Sequence, residues 1–372
     1  MMALEKAPVQ KLLVGAVKRL ITPTIRGRKV FVAGGDGIRA ATDIHDELWA
    51  RAVAVRYGDV TLVLIALDLI GLEREHITYV REQALAEGLA AENLIICCTR
   101  SHAGPDTFGR WSEGPLGSGL NLRYLEFLRQ ELVEVVRLSI EALEPAHAFL
   151  ARRQVVDLCD DRPRELAVFQ FRAIEGQAVA TVVNLPLVPQ VLDEKNTSIS
   201  ADFAHWLYEG LDASWEHVTL YICAEGKDVP SCFRARSWQE AERIGSRLAA
   251  LVQEALIDSQ PVGIDRLDVF KMPFTVPSNN GAAKWLQRVR QVARPDAGTS
   301  NESEVGLIQL GPARMAVIPG LVAWSIGAQI RKMLDASFRF VLGVSNDDLG
   351  FIPPQPQPGA VQDRRSHVGT VI

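Results

Sequence analysis

The chain has 372 residues, 48% of them hydrophobic and 23% charged, a balance that excludes a wholly disordered chain, a collagen-like repeat and a disulfide-stapled miniprotein. Forty Lys and Arg against 45 Asp and Glu give a net charge of -5, and no stretch gathers the basic residues into a stripe, so nucleic acid is not an expected partner. The most apolar run, Val60 to Ile70, is interrupted by Asp68 and falls well short of the ~20 residues a bilayer-crossing helix needs, so membrane insertion is not expected either.

Near the N-terminus, Lys6, Lys11 and Lys18 break up the only hydrophobic candidate for an export signal, and a cytoplasmic location is the expectation. Five cysteines, two of them adjacent at Cys97 and Cys98 and none in a C-x-x-C spacing, indicate neither a disulfide framework nor a zinc knuckle.

The β-branched run Val60 to Leu67 predicts a strand, Glu75 to Glu87 a helix, and Leu94 to Cys98 a second buried strand, a βαβ rhythm. From Leu122 to Leu143 the residues Leu125, Leu128, Leu132, Val135 and Val136 recur at helical spacing and mark a face that must pack on a sheet. Glu165 to Ala173 and Ala178 to Leu185 read as a hairpin around Ile174-Glu175-Gly176-Gln177. A strand from His217 to Cys223 leads through a polar loop to a helix opening at Ser237, with Glu240 at the capping-box spacing. A second hairpin, Val305 to Leu310 with Met315 to Ile318, precedes a helix from Trp324 to Leu334 and a strand from Phe338 to Val344. The segment from Asp296 to Ser303 reads as a flexible loop, and Pro353, Pro354, Pro356 and Pro358 deny the tail regular pairing. The expected fold is α/β: a mixed, largely parallel β-sheet flanked by helices in one large domain over residues 1–352, with a proline-rich tail at 353–372.

In such sheets the ligand crevice lies beyond the carboxyl ends of the strands. Three glycine-bearing polar loops qualify: Thr99 to Asp106, Ala224 to Ser231, and Ser345 to Gly350. A fourth, Asn184 to Leu192 followed by Ser198 to Asp202, is apolar where a polar loop would be ordinary. Cys98 and Cys223 end two strands and read first as buried small hydrophobes, although a pairing with His102 would make a nucleophile. Asp202 reads as the N-cap of a helix starting at Phe203, His45 with Asp46 as an orienter of its loop, and Arg51 with Asp68 as a pair beneath the site.

Several of these segments, in order, resemble the neutral/alkaline non-lysosomal ceramidase family, in its N-terminal catalytic domain: Val14-Gly15-Ala16, Ile21-Thr22-Pro23, Ile44 to Ala52, Ser101 to Thr107, Ile199 to Phe203, Ile318-Pro319-Gly320 and Asn346 to Pro353. The resemblance implies the fold of that domain and an amidase chemistry in which two histidines, a glutamate and a tyrosine hold a zinc ion that polarises the carbonyl and activates water. At the four matching positions this chain carries Arg100, Val188, Leu321 and Asp348, so no metal and no other cofactor is expected. Arg100 is permanently cationic and repels a divalent ion where the family holds one; as a fixed positive charge it would take Asp348, Asp106 or Glu225 as its counter-ion and an oxyanion as its ligand.

Two readings stay open. One is a metal-independent hydrolase in which His102 with Ser231 or Cys223 attacks a small amide or ester and Arg100, Asp106, Glu225 and Asp348 bind it. The other is a catalytically retired relative that holds a small-molecule ligand or a partner subunit in the old cleft, with a homo-oligomer equally open.

Overall fold

A computed structural model of the chain describes residues 11–35, 37–113, 118–156, 158, 163–192, 195–212, 217–226, 233–277 and 300–354. The core sheet starts from three meandering strands, β1 (Leu13–Leu20), β3 (Trp49–Tyr57) and β4 (Val60–Leu67), with the two-residue β2 (Asp43–Ile44) before β3. Helix α1 (Arg74–Ala86) carries the chain across to β5 (Asn93–Cys98), and α2 (Leu122–Glu141) leads to the antiparallel run β6 (Glu144–Val155), β7 (Arg164–Ala173) and β8 (Ala178–Leu185). The short β9 (Ser198–Ile199), helix α3 (Phe203–Leu211) and β10 (Val218–Cys223) follow, then α4 (Trp238–Leu256) and β11 (Pro261–Val262). The remaining part comprises β12 (Leu267–Pro277), β13 (Ser300–Leu310), β14 (Ala313–Val317), β15 (Leu321–Val322), α5 (Trp324–Met333), β16 (Phe338–Leu342) and β17 (Phe351–Ile352).

Among the described residues the main sheet has nine strands in the order β10-β8-β7-β6-β1-β3-β4-β5, with β11 paired to β6. It is mixed, as expected, but not largely parallel. Only β4–β5 and β8–β10 run parallel, each pair joined through a helix, whereas every other neighbour in it is antiparallel. For β3–β4 and β7–β8 the physical reason is connection length: these links are too short for a crossover, and a short reversal permits only antiparallel pairing. The expected loop at 296–303 is likewise corrected in part, since Ser300 to Ser303 pair with Phe274 to Pro277 as β13; residues 296–299 lie outside the described residues.

Alternation along each strand divides its side chains between two cores. Ala50, Ala52, Ala54, Val63, Ile65 and Leu67 face α1 to α4, where Ile77, Val80, Leu128, Leu132, Leu207, Ile244 and Leu248 are buried. Val53, Val55, Leu62, Leu64 and Ala66 face the opposite way, against Ile308, Met315, Val317, Phe340 and Leu342 of the four-stranded sheet β12-β13-β14-β16. Three layers result: helices, main sheet, second sheet. Each of the Val, Leu, Ile, Met and Phe side chains among them contributes about 1.5–3 kcal/mol by leaving water, which makes the sheet a stiff base for its loops.

One short segment ties the layers together at the carboxyl ends. Gly343 N–H donates to Cys223 O at the end of β10 (3.1 Å), Cys98 N–H at the end of β5 donates to Val344 O (3.0 Å), and Asn346 N–H donates to Ile96 O (2.8 Å). The Asn346 side chain accepts from Ile96 N–H (2.9 Å) and donates to Glu304 of β13 (2.8 Å). The two terminal strands of the sheet path are thereby bridged by residues 343–346.

Candidate functional site

Five loops, following β5, β8 and β10 of the main sheet and β14 and β16 of the second sheet, meet and close a ring of contacts. Arg100, just after β5, forms an ion pair through Nη1 with Asp348 Oδ2 and donates from Nη1 to Ile70 O at 3.2 Å. Asp348 Oδ1 accepts from Gly350 N–H (2.8 Å), and Gly350 O accepts from Leu321 N–H (2.9 Å). Leu321 and Val188 both approach Gly226, where a β-carbon would lie 2.6 Å from Val188 Cγ2 and 3.5 Å from either Leu321 methyl. Next to Val188, Pro189 O accepts from His102 N–H (3.1 Å), two residues on from Arg100.

The four positions singled out by the resemblance, Arg100, Val188, Leu321 and Asp348, therefore lie on one circuit. Between them they offer one metal-ligating group, the Asp348 carboxylate, and that group is engaged by the guanidinium. Among the described residues no cluster of three or more His, Cys, Asp or Glu side chains has a geometry that could hold a metal ion. A guanidinium, two aliphatic side chains and a paired carboxylate do not fit a divalent cation.

The three carboxylates expected as counter-ions to Arg100 separate clearly. Asp348 meets it. Asp106 instead closes its own turn, accepting backbone N–H bonds from Phe108 (2.9 Å), Gly109 (2.8 Å) and Trp111 (2.9 Å), with burial pushing its carboxyl upward. Glu225 is fully buried and paired with Arg331 of α5. The sequence showed the charges at strand ends but not which loop each carboxylate would turn back into.

His102 is half-buried and stands over Gly34, whose backbone takes φ +88° and where a β-carbon would come within 2.5 Å of the imidazole Nδ1. The buried Arg39 holds this contact from below: Nη2 donates to Ala33 O (2.6 Å), Gly34 O (2.8 Å) and His102 O (3.1 Å). Trp111 Nε1 pins the next residue through Gly35 O at 3.0 Å. Sequence reasoning passed over Arg39 and Gly34; the Gly34-Gly35 doublet was the available signal.

Cys223 lies inside the core with its thiol against Glu225 O (3.8 Å), and burial pushes it well above the ordinary thiol range. Such a thiol is protonated near neutrality and lacks the nucleophilic thiolate. Cys98 is likewise buried and raised, by burial first and then by the charge of Asp348. Ser231 and its neighbours 227–232 lie outside the described residues.

Beneath the ring sits a second polar layer. Asp68 is fully buried, accepting from Trp49 N–H and Tyr208 Oη at 2.9 Å each, and burial pushes its carboxyl up to about 7 although Arg51 pulls the other way. The partner of Arg51 is Asp212 (2.7 Å) rather than Asp68, and the guanidinium lies 3.6 Å from the Tyr208 ring centroid. Asp202 caps α3 as expected, accepting from Phe203 N–H (2.6 Å), and also holds Val191 N–H (2.9 Å) and Leu192 N–H (3.0 Å), which fixes the loop carrying Val188. Asp46 accepts from His45 Nδ1 (2.9 Å), Ser200 Oγ (2.5 Å) and Ala201 N–H (2.8 Å), so the His45–Asp46 pair orients the 198–202 segment. Ser200 in turn clamps the His102 loop, its N–H donating to Ala103 O (3.0 Å) and its carbonyl accepting from Ser101 Oγ (3.1 Å).

No family model matches the sequence, and no curated protein matches it. Among solved structures, the neutral ceramidase from Pseudomonas aeruginosa is similar over 92% of this chain and 69% of its own, with a TM-score of 0.75 and 14% identity. A structure described as ceramidase complexed with C2 is similar over 92% of this chain and 70% of its own, with a TM-score of 0.75 and 13% identity. The chain has a ceramidase-like fold. At this level of identity the likeness shows the fold alone.

Proposed function

We propose that this protein binds a small ligand in the cleft of a ceramidase-like scaffold without metal and without hydrolysing it. The observation that supports this reading is the packing of Val188 and Leu321 around Gly226 beside the Arg100–Asp348 pair: two aliphatic side chains stand at positions where the resemblance expects ligands, and the Arg100 guanidinium is already neutralised. A surface of that kind favours burial of an apolar group and offers little to a developing oxyanion. The buried, protonated thiol of Cys223 supports the same reading, since it leaves His102 without an activated sulfur to work with.

The test pairs binding with turnover on one panel of probes: N-acetyl and N-lauroyl amides and the p-nitrophenyl esters of acetate and octanoate. The expected result is a rise in thermal midpoint with the longer acyl chains and no product above the uncatalysed rate. Hydrolysis that disappears in His102→Ala would overturn the reading and establish a metal-independent hydrolase instead.

A further inference from the structure

We propose that the Arg100–Asp348 pair is a built-in clasp in which a guanidinium takes the mechanical place of a metal ion, joining the loop after β5 to the loop after β16. The inference rests on the reading of this cleft as metal-free; it is independent of whether a bound ligand is turned over.

Three observations carry it. First, the Asp348 side chain is buried, with 3% exposed, the Arg100 side chain is mostly shielded, with 16% exposed, and both halves are anchored. Arg100 N–H donates to Leu69 O (3.0 Å) and its Nη1 to Ile70 O (3.2 Å). Asp348 N–H donates to Asp347 Oδ1 (2.9 Å), and Asp347 also accepts from Arg74 N–H at the start of α1 (3.2 Å) and from Ser303 Oγ of β13 (2.9 Å). Removing the guanidinium leaves the buried Asp348 carboxylate uncompensated, so the pair holds the two loops together.

Second, the joined loops carry three of the five non-glycine residues with positive φ among the described residues, the other two being Asp202 and Asp335. Arg100 (φ 70°), Val344 (φ 49°) and Asn346 (φ 60°) all take left-handed conformations that side-chain-bearing residues seldom adopt, and for a β-branched valine this is a marked outlier. Strained backbone of this kind persists only where surrounding contacts over-determine it, and the cross-loop ion pair is such a contact.

Third, space has been left for the carboxylate. A β-carbon at Gly71 would overlap Asp348 Oδ2 and approach Phe108 Cζ to 2.6 Å. Gly71 does not have a positive φ, so clearance rather than backbone freedom is what requires glycine there.

The decisive experiment follows amide hydrogen exchange in segments 99–108 and 343–350, together with zinc uptake measured by competition with a chromogenic chelator. The wild-type chain should take up no stoichiometric zinc, and chelator should leave its exchange unchanged. Arg100→Gln and Gly71→Ala should each speed exchange in both segments by about tenfold. Arg100→Lys, which restores a charge without the planar fork, should recover part of the protection. Gly263→Ala is the control, because its β-carbon would meet nothing within 4 Å. Should Arg100→Gln fail to fold, Gly71→Ala retains both charges and still tests the geometry. One zinc ion per chain would overturn the metal-free reading itself. No zinc, with exchange unaltered in both Arg100→Gln and Gly71→Ala, would overturn the clasp while leaving that reading intact.

Discussion

Asp68→Asn is expected to change how the stability of this protein depends on pH. The Asp68 carboxyl is buried and raised from 3.8 to about 7, chiefly by burial. A carboxyl raised on folding favours the folded state when protonated, so its contribution is fully present below the unfolded value and is lost as pH rises through the folded one. Between pH 5 and pH 7 the folded chain retains a proton that the unfolded chain has released. Two units at ~1.4 kcal/mol each remove about 3 kcal/mol over that interval. At roughly 2 °C per kcal/mol for a chain of this size, the thermal midpoint shifts by about 6 °C.

Other groups titrate in the same range. Burial lowers His76 to about 4 and lowers His217, and it raises Asp202 to about 6. They are common to both chains, so the informative quantity is the difference in midpoint between Asp68→Asn and wild type, measured by calorimetry at pH 5, 6, 7 and 8 and constant ionic strength. Asparagine resembles the protonated acid and is uncharged at every pH. The difference should therefore grow in favour of the variant by about 6 °C up to pH 7 and level off above it. Parallel pH profiles for the two chains would refute the argument that an ionised Asp68 strains the layer beneath the site.

Two further outcomes follow from buried polar groups. Asn184 donates to Ile222 O (3.0 Å) and Val341 O (2.8 Å) and accepts from Val341 N–H (3.0 Å), so it is the polar bridge from β8 to β16; Asn184→Leu should lower the urea-unfolding free energy by ~3 kcal/mol, and a loss below ~1 kcal/mol would count against the bridge. Cys97, pushed up to about 12, Cys98 and Cys223 should resist iodoacetamide at pH 8 in the folded protein and react once it is unfolded in urea, as read by mass spectrometry; rapid native labelling of Cys223 would reopen its role as a nucleophile.

Local periodicity was the most legible signal. The strand from Val60 to Leu67 has the bounds its β-branched run implies, and α2 starts at Leu122 with the predicted face, Leu125, Leu128, Leu132, Val135 and Val136, buried. Ser237 caps α4 by accepting from Glu240 N–H (3.3 Å), although the Glu240 carboxylate reaches back to Arg234 N–H (3.0 Å). Strand direction was less legible, because alternating helices and strands imply crossovers while the short β3–β4 and β7–β8 turns impose hairpins. Ser300 to Ser303 read as loop for their polarity, yet β13 needs only their backbone groups to pair with β12. At the site, the loops were visible from strand ends, and Asp348 was among the expected partners of Arg100. The separation of Asp348 from Asp106 and Glu225, and the supporting places of Gly71, Gly34 and Arg39, depend on which backbone passes within reach. Composition and spacing do not encode that.

The bridge at residues 343–346 bears on how the chain is made. During synthesis β5 and β10 emerge well before the segment 343–346 that bonds to both of them, so Ile96, Cys98 and Cys223 keep unsatisfied amide and carbonyl groups until that segment follows. A nascent chain stalled ahead of Gly343 would therefore carry those unpaired groups at both flanks of its main sheet, and one later segment satisfies them together.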